Sequence, residues 1–247
     1  MNNFISGFKF ALSYFTILPV NFKENEDLSK KEILSFMLFS LPLLGLVLGF
    51  ITLVLYHFLA DLSWFGAIIC AVSYMLLYGF IHTEAIIDVV DAIYAKHSGK
   101  DAYEVIKEPT IGAMGVLYAF AFFVLKIAGI TYLFLNGYLL EFVSIIVISR
   151  LMLLFVIKNF EFKSSFVNQL KDSLSTNIFL SALIIFTLAS IVLIGFKAIT
   201  LTILAFIFSC LIAIFIKKNV GFLNGDALGT ILELNELFLI ITLLFYI

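Results

Sequence analysis

Three prolines, two cysteines, one tryptophan and few charges mark this chain of 247 residues, which is 13% charged and 63% hydrophobic. A soluble domain carries about a quarter charged residues, so this shortage excludes an ordinary water-soluble globule. The shortage of proline, set beside 29 phenylalanines, excludes a disordered chain. Cys70 and Cys210 both fall inside apolar runs, where they read as packing residues rather than as a disulfide framework. A net charge of -2 offers no basic surface, so nucleic acid is not expected as a partner. No small-residue cleavage site follows the apolar stretch ending at Val20, so a signal peptide is not expected.

Long apolar runs fill the remainder. With a mean hydropathy of +1.15, the chain reads as an all-α polytopic membrane helix bundle, expected to form a single integral membrane domain over 1–247. Seven stretches have the ~18 or more mostly apolar residues of a crossing: 34–59, 64–81, 111–135, 139–157, 177–196, 198–216 and 228–247. Pro42, Gly45 and Gly49 predict a kink or tilt in the first. Residues 4–20 hold Lys9 and Pro19 and predict an interfacial or re-entrant helix. Ser29 and Glu32 have the spacing of a capping box before the first span.

Basic residues alternate between the connections. Those at 1–33, 82–110, 158–176 and 217–227 hold twelve Lys, whereas the intervening links hold only Lys197. Lys126 and Arg150 lie within spans. Positive residues favour the cytoplasmic side, so the N-terminus and the long loops are expected there, in a cell inner membrane. Small-residue helix faces permit a homo-oligomer.

Three segments on that face carry the polar chemistry. In 82–94, HTEAIIDVVDAIY, helical spacing puts Glu84, Asp88 and Asp91 on one stripe. Like charges so placed repel. Either a solvated acidic face or an oxygen-ligated cation such as Mg²⁺ or Mn²⁺ fits the pattern. His82 stands at its start as a general base or an interfacial residue. In 105–115, VIKEPTIGAMG, Gly112 and Gly115 open a helix beside Lys107; this suits a phosphate or close helix packing. In 219–236, NVGFLNGDALGTILELNE, Asp226, Thr230, Glu233 and Glu236 form a second stripe. Ionisable groups inside a span commonly face a wet cavity. Two carboxylate stripes with lysines nearby suggest a divalent-metal site for a phosphorylated substrate.

In this order the segments resemble cobalamin synthase, the adenosylcobinamide-GDP ribazoletransferase family. That family carries G-x-x-H-x-D-G-x-x-D-x-x-D-G, then K-D-S-R-I-G-x-x-G, then G-x-T-G-D-x-x-G. Gly79, His82, Glu84, Asp88 and Asp91 match the first motif; Lys107, Ile111, Gly112 and Gly115 the second; Gly225, Asp226 and Gly229 the third. The opening FKFALSYFTILPV is similar too, so the resemblance covers nearly the whole chain. Departures fall at Glu84, Ala85 and Ala92, at Glu108, Pro109 and Thr110 (Asp-Ser-Arg in the family), and at Asn224, where the family has Thr. The lost Arg would have been a bidentate phosphate partner.

The resemblance implies a transferase that joins GDP-activated corrinoid to the ribazole nucleoside or its 5′-phosphate, with release of GMP. It implies Mg²⁺ on Glu84, Asp88, Asp91 and Asp226. Catalytic work would fall to His82, Asp88 and Asp91; substrate contacts to Lys107, Gly112, Gly115, Asn224 and Gly225; and a supporting role to Glu233 and Glu236. Three alternatives stand beside it: a CDP-alcohol phosphotransferase, which would need an Arg after the acids; a transporter, which would need ionisable groups at mid-bilayer in paired broken helices; and an inactive family member.

Overall fold

The computed structural model describes residues 3–22, 27–107 and 110–245, all helix and turn. The helices are α1 (Asn3–Phe15), α2 (Lys31–Leu59), α3 (Ser63–Leu77), α4 (Ile81–His97), α5 (Ala102–Lys107), α6 (Ala113–Leu135), α7 (Leu139–Asn159), α8 (Ser165–Ser173), α9 (Thr176–Ile194), α10 (Lys197–Val220) and α11 (Gly225–Phe245). Six helical runs among these residues are long and apolar enough to cross a membrane. One of them, Lys31–Leu77, is folded back at Ala60–Leu62, so that α2 and α3 pack against each other. The bundle is a multi-pass membrane protein whose outer surface is apolar. Val192, Ile184, Ile203, Leu211 and Phe120 point outward from α9, α10 and α6, as lipid-facing side chains do.

The central helix is α7. Val143–Leu154 is buried all round, against α2, α9, α10 and α11. Such a helix is apolar on every face because every face is covered. Gly45 and Gly49 bring α2 onto it: a Cβ at Gly45 would stand 3.0 Å from the Ile146 carbonyl oxygen, and one at Gly49 3.1 Å from Val143. Pro42, Gly45 and Gly49 lie within the single helix α2, where the two glycines serve close packing.

Three expectations change. The span expected at 64–81 is α3, only 15 residues, about 22 Å of helix. It stops at Leu77 in a left-handed cap: Gly79 donates to the Leu76 carbonyl (2.8 Å) and Phe80 to the Met75 carbonyl (3.2 Å). Gly79 (φ 64°) and Phe80 (φ 55°) are both left-handed, and this turn re-aims the chain into α4. The Ile17 N–H closes the Leu77 carbonyl at 3.0 Å, tying the exit of α1 to the break. The capping box at Ser29 does not form: Lys30 precedes α2, and Ser29 bonds instead to Asp27. The last span begins at Gly225 rather than 228, which brings Asp226 onto the helix. The N-terminal segment is α1, 13 residues packed on α2 and too short to cross.

Candidate active site

α4 lies between α11 and α6. Small residues allow the approach: a Cβ at Gly229 would sit 2.7 Å from that of Ala85, and Thr230 Oγ1 donates to the Ala85 carbonyl at 3.0 Å. Ala85 is therefore held at a position where only a small side chain fits, and its departure from glycine adds one methyl to a packed contact. With Ile86, Val89 and Ala92 buried, the α4 stripe turns Asp88 toward the start of α11. Glu84 is exposed one turn before it, and Asp88 and Asp226 are half-buried.

These carboxylates sense each other. Burial, and then the charges of Asp226, Glu84 and Asp91, push the Asp88 carboxyl up to about 6. Burial and Asp226 also raise the Tyr14 phenol on α1, so α1 borders the same site. Asn224 caps α11 as an N-cap should: its Oδ1 accepts the Ala227 N–H at 3.0 Å, while its Nδ2 donates to Asp226 Oδ2 at 2.6 Å. Asn224→Ala removes both bonds. It is expected to cost about 1 kcal/mol of stability, read by thermal unfolding in detergent, and to loosen the Asp226 carboxylate.

Asp91 ties α4 to the start of α6. Its Oδ2 accepts the Gly112 N–H at 2.7 Å and its Oδ1 the Gly115 N–H at 2.9 Å. Both oxygens thus hold the first turn of α6, where a negative charge is favoured by the helix dipole. The glycine pair expected to cradle a phosphate already donates its amides to this carboxylate. A Cβ at Gly115 would stand 2.7 Å from Asp91 Oδ2 and 2.8 Å from the Ile87 carbonyl oxygen. Gly115→Ala is therefore expected to lower the melting temperature clearly, because the backbone of α4 cannot yield as a flexible side chain could. A melting temperature within 1 °C of wild type, by thermal scan, would contradict that contact. The Lys107 side chain, Glu108 and Pro109 lie outside the described residues.

Glu233 and Glu236 lie in a buried ion network. They are fully buried and face cations rather than a wet cavity: Lys126 pairs with Glu233 and, at 2.7 Å, with Glu236, and Arg150 Nη1 meets Glu236 Oε1 at 2.7 Å. Tyr74 donates to both Glu236 oxygens at 2.9 Å, and Thr83 donates to Glu233 at 3.1 Å. The four charges cancel. This network sits near the middle of α6, α7 and α11, while the Asp88–Asp226 pair sits at one end of α11. The sequence carried a signal for it: two cations and two anions inside otherwise apolar runs must find each other. The residues missed altogether were the hydroxyl partners Tyr74 and Tyr78, which look like ordinary core aromatics.

His82, beside the break, is buried between Phe15 and Tyr78, each ring centroid 5.7 Å away. Burial is the main cause that brings its imidazole down to about 3. It is therefore neutral at cellular pH and a weak proton acceptor, which suits a substrate contact better than a general base.

Among the described residues no three His, Cys, Asp or Glu side chains converge as a ready-made cation cage. Mg²⁺ seldom needs one, since it is commonly held by one or two carboxylates together with substrate phosphates. The all-oxygen pair Asp88 and Asp226, with Glu84 a turn away, fits that mode.

Residues 7–244 match the model of one protein family, described as cobalamin-5-phosphate synthase. The chain belongs to that family. A member from Carboxydothermus hydrogenoformans, named adenosylcobinamide-GDP ribazoletransferase, is 30% identical over 257 residues, covering 97% of this chain and 96% of its own. One of the same name from Clostridium perfringens is 26% identical over 246 residues, 96% of each chain. No solved structure matches. Within the cobalamin-5-phosphate synthase family, this member combines a Glu-Ala pair at 84–85 with a carboxylate-capped α6.

Proposed function

We propose that this protein is an adenosylcobinamide-GDP ribazoletransferase. A ribose hydroxyl of the ribazole nucleoside, or of its 5′-phosphate, attacks the corrinoid-side phosphorus of the GDP-activated corrinoid. The new phosphorus–oxygen bond forms as the bond to GMP breaks; GMP leaves, and the hydroxyl proton passes to solvent or to a site carboxylate. The observation that supports this reading is the charge interaction between Asp88 and Asp226, from two separate motifs on the packed helices α4 and α11, in a chain matched by the family over nearly its whole length.

Asp88 and Asp226 would hold Mg²⁺, with Glu84 beside them. Once bound, the ion would neutralise the diphosphate oxygens and ease departure of GMP. Asp91 acts indirectly, by fixing α6 against α4. Asn224 orients Asp226 through their hydrogen bond. The site faces the cytoplasm, because the Lys-rich connections share its side of the membrane.

Purified protein in lipid, given GDP-activated corrinoid, the ribazole nucleoside and Mg²⁺, is expected to release one GMP for each joined corrinoid. A folded preparation that released none, or that turned over a CDP-alcohol instead, would overturn the proposal.

A further inference from the structure

Beside Asp226 the structure holds a cavity of about 150 Å³. Its walls are apolar, with Phe15 from α1, Leu38 and Leu41 from α2, Leu153 and Ile157 from α7, and Phe166 from α8. Three of its lining residues can ionise: Tyr14, Asp226 and the buried His82. His82 is 7% exposed and has no hydrogen-bond partner among the described residues. Its imidazole lines the cavity and has hydrogen-bonding capacity to offer there.

The size and chemistry select among the groups the proposed reaction brings together. A cavity of roughly 150 Å³ lined by Leu, Ile and Phe is large enough to take an aromatic ring. A corrin macrocycle is far too large for it. Guanine carries donors and acceptors along two edges, and these walls would leave most of them unpaired, a loss of several kcal/mol in order of magnitude. A lipid tail would fill the space but offer nothing to His82. A benzimidazole-type base, attached to its sugar through one nitrogen, has apolar faces and a single in-plane acceptor, the other nitrogen. A neutral imidazole supplies one N–H donor.

We propose that this cavity seats the heteroaromatic base of the nucleoside substrate, with His82 donating to its free ring nitrogen and Leu41 and Leu153 setting the size accepted. This rests on the proposed transferase reading and adds an address to it. A base seated here points its ribose toward Asp226, so the attacking hydroxyl arrives at the carboxylate pair. α1 then has a function as well: Phe15 stacks on His82 and closes the cavity.

The test is equilibrium binding of labelled nucleosides to purified protein without corrinoid, comparing the riboside of 5,6-dimethylbenzimidazole with that of unsubstituted benzimidazole. One methyl in an apolar pocket is worth about tenfold or more. Leu41→Phe is expected to shift the affinity ratio at least tenfold toward the smaller base, and Leu153→Ala to shift it the opposite way. A ratio does not depend on what fraction of each variant is folded. His82→Phe is expected to weaken both nucleosides about equally. Wild-type protein that binds neither nucleoside, or variants that leave the ratio unchanged, would overturn the assignment. Binding as expected without GMP release in the complete assay would leave the cavity assignment standing and count against the transferase reading alone.

Discussion

Glu236→Leu is expected to destabilise the protein by about 3–5 kcal/mol, the cost of leaving a buried charge without its partner. Glu236 is 2% exposed and is the shared anion of Lys126 and Arg150, as well as the acceptor for Tyr74 and Ser149. Without it, Glu233 must serve two cations that have no water to turn to. The site would hold one net positive charge, and the Tyr74 hydroxyl would lose its acceptor. Denaturation of the purified protein in detergent measures this directly. Glu236→Leu combined with Arg150→Met removes one charge of each sign and keeps much of the volume, so the double variant is expected to recover a large part of the loss, as coupled neighbours do. A single variant within 1 kcal/mol of wild type would mean that the network is not closed in the way these distances describe.

Asp88→Asn is expected to act in the opposite sense on the two properties. GMP release should fall by about 10²–10³-fold, the scale at which a single charge-stabilising group matters in a transfer site. Stability should hold or rise, because the substitution removes one charge from a group of like charges: Asp226, Glu84 and Asp91 all work against ionised Asp88. Few residues that merely support the fold would show this pairing. Glu84→Gln provides the comparison; Glu84 is exposed and its loss is expected to reduce turnover less than tenfold. Turnover of Asp88→Asn within threefold of wild type would remove Asp88 from the site.

Much of the architecture was legible because it is written in apolar length, which depends on the bilayer and hardly at all on packing detail. The short α1 was legible from Lys9 and Pro19 for the same reason. The end of α3 was harder to read. Residues 64–81 are apolar throughout, and the break depends on Gly79 and Phe80 adopting left-handed geometry that the Ile17 amide then supports, a contact across sixty residues. Periodicity put Asp88 and Asp226 on stripes, and the fold brought the stripes together. Periodicity also put Asp91, Glu233 and Glu236 on those stripes, but it could not say which partner each would meet. Asp91 meets the amides opening α6, and the two glutamates meet Lys126 and Arg150. A stripe shows which side chains share a face; the neighbouring helix decides what that face is for.

The central claim is that Asp88 and Asp226 together form a metal-assisted diphosphate site. It is tested most directly by GMP release from GDP-activated corrinoid in lipid-reconstituted protein, stripped with chelator and then titrated with Mg²⁺. The expected result is no release after stripping and saturable recovery with Mg²⁺, with recovery strongly weakened in Asp226→Asn. Full release in the presence of chelator, or recovery identical in Asp226→Asn and wild type, would contradict it.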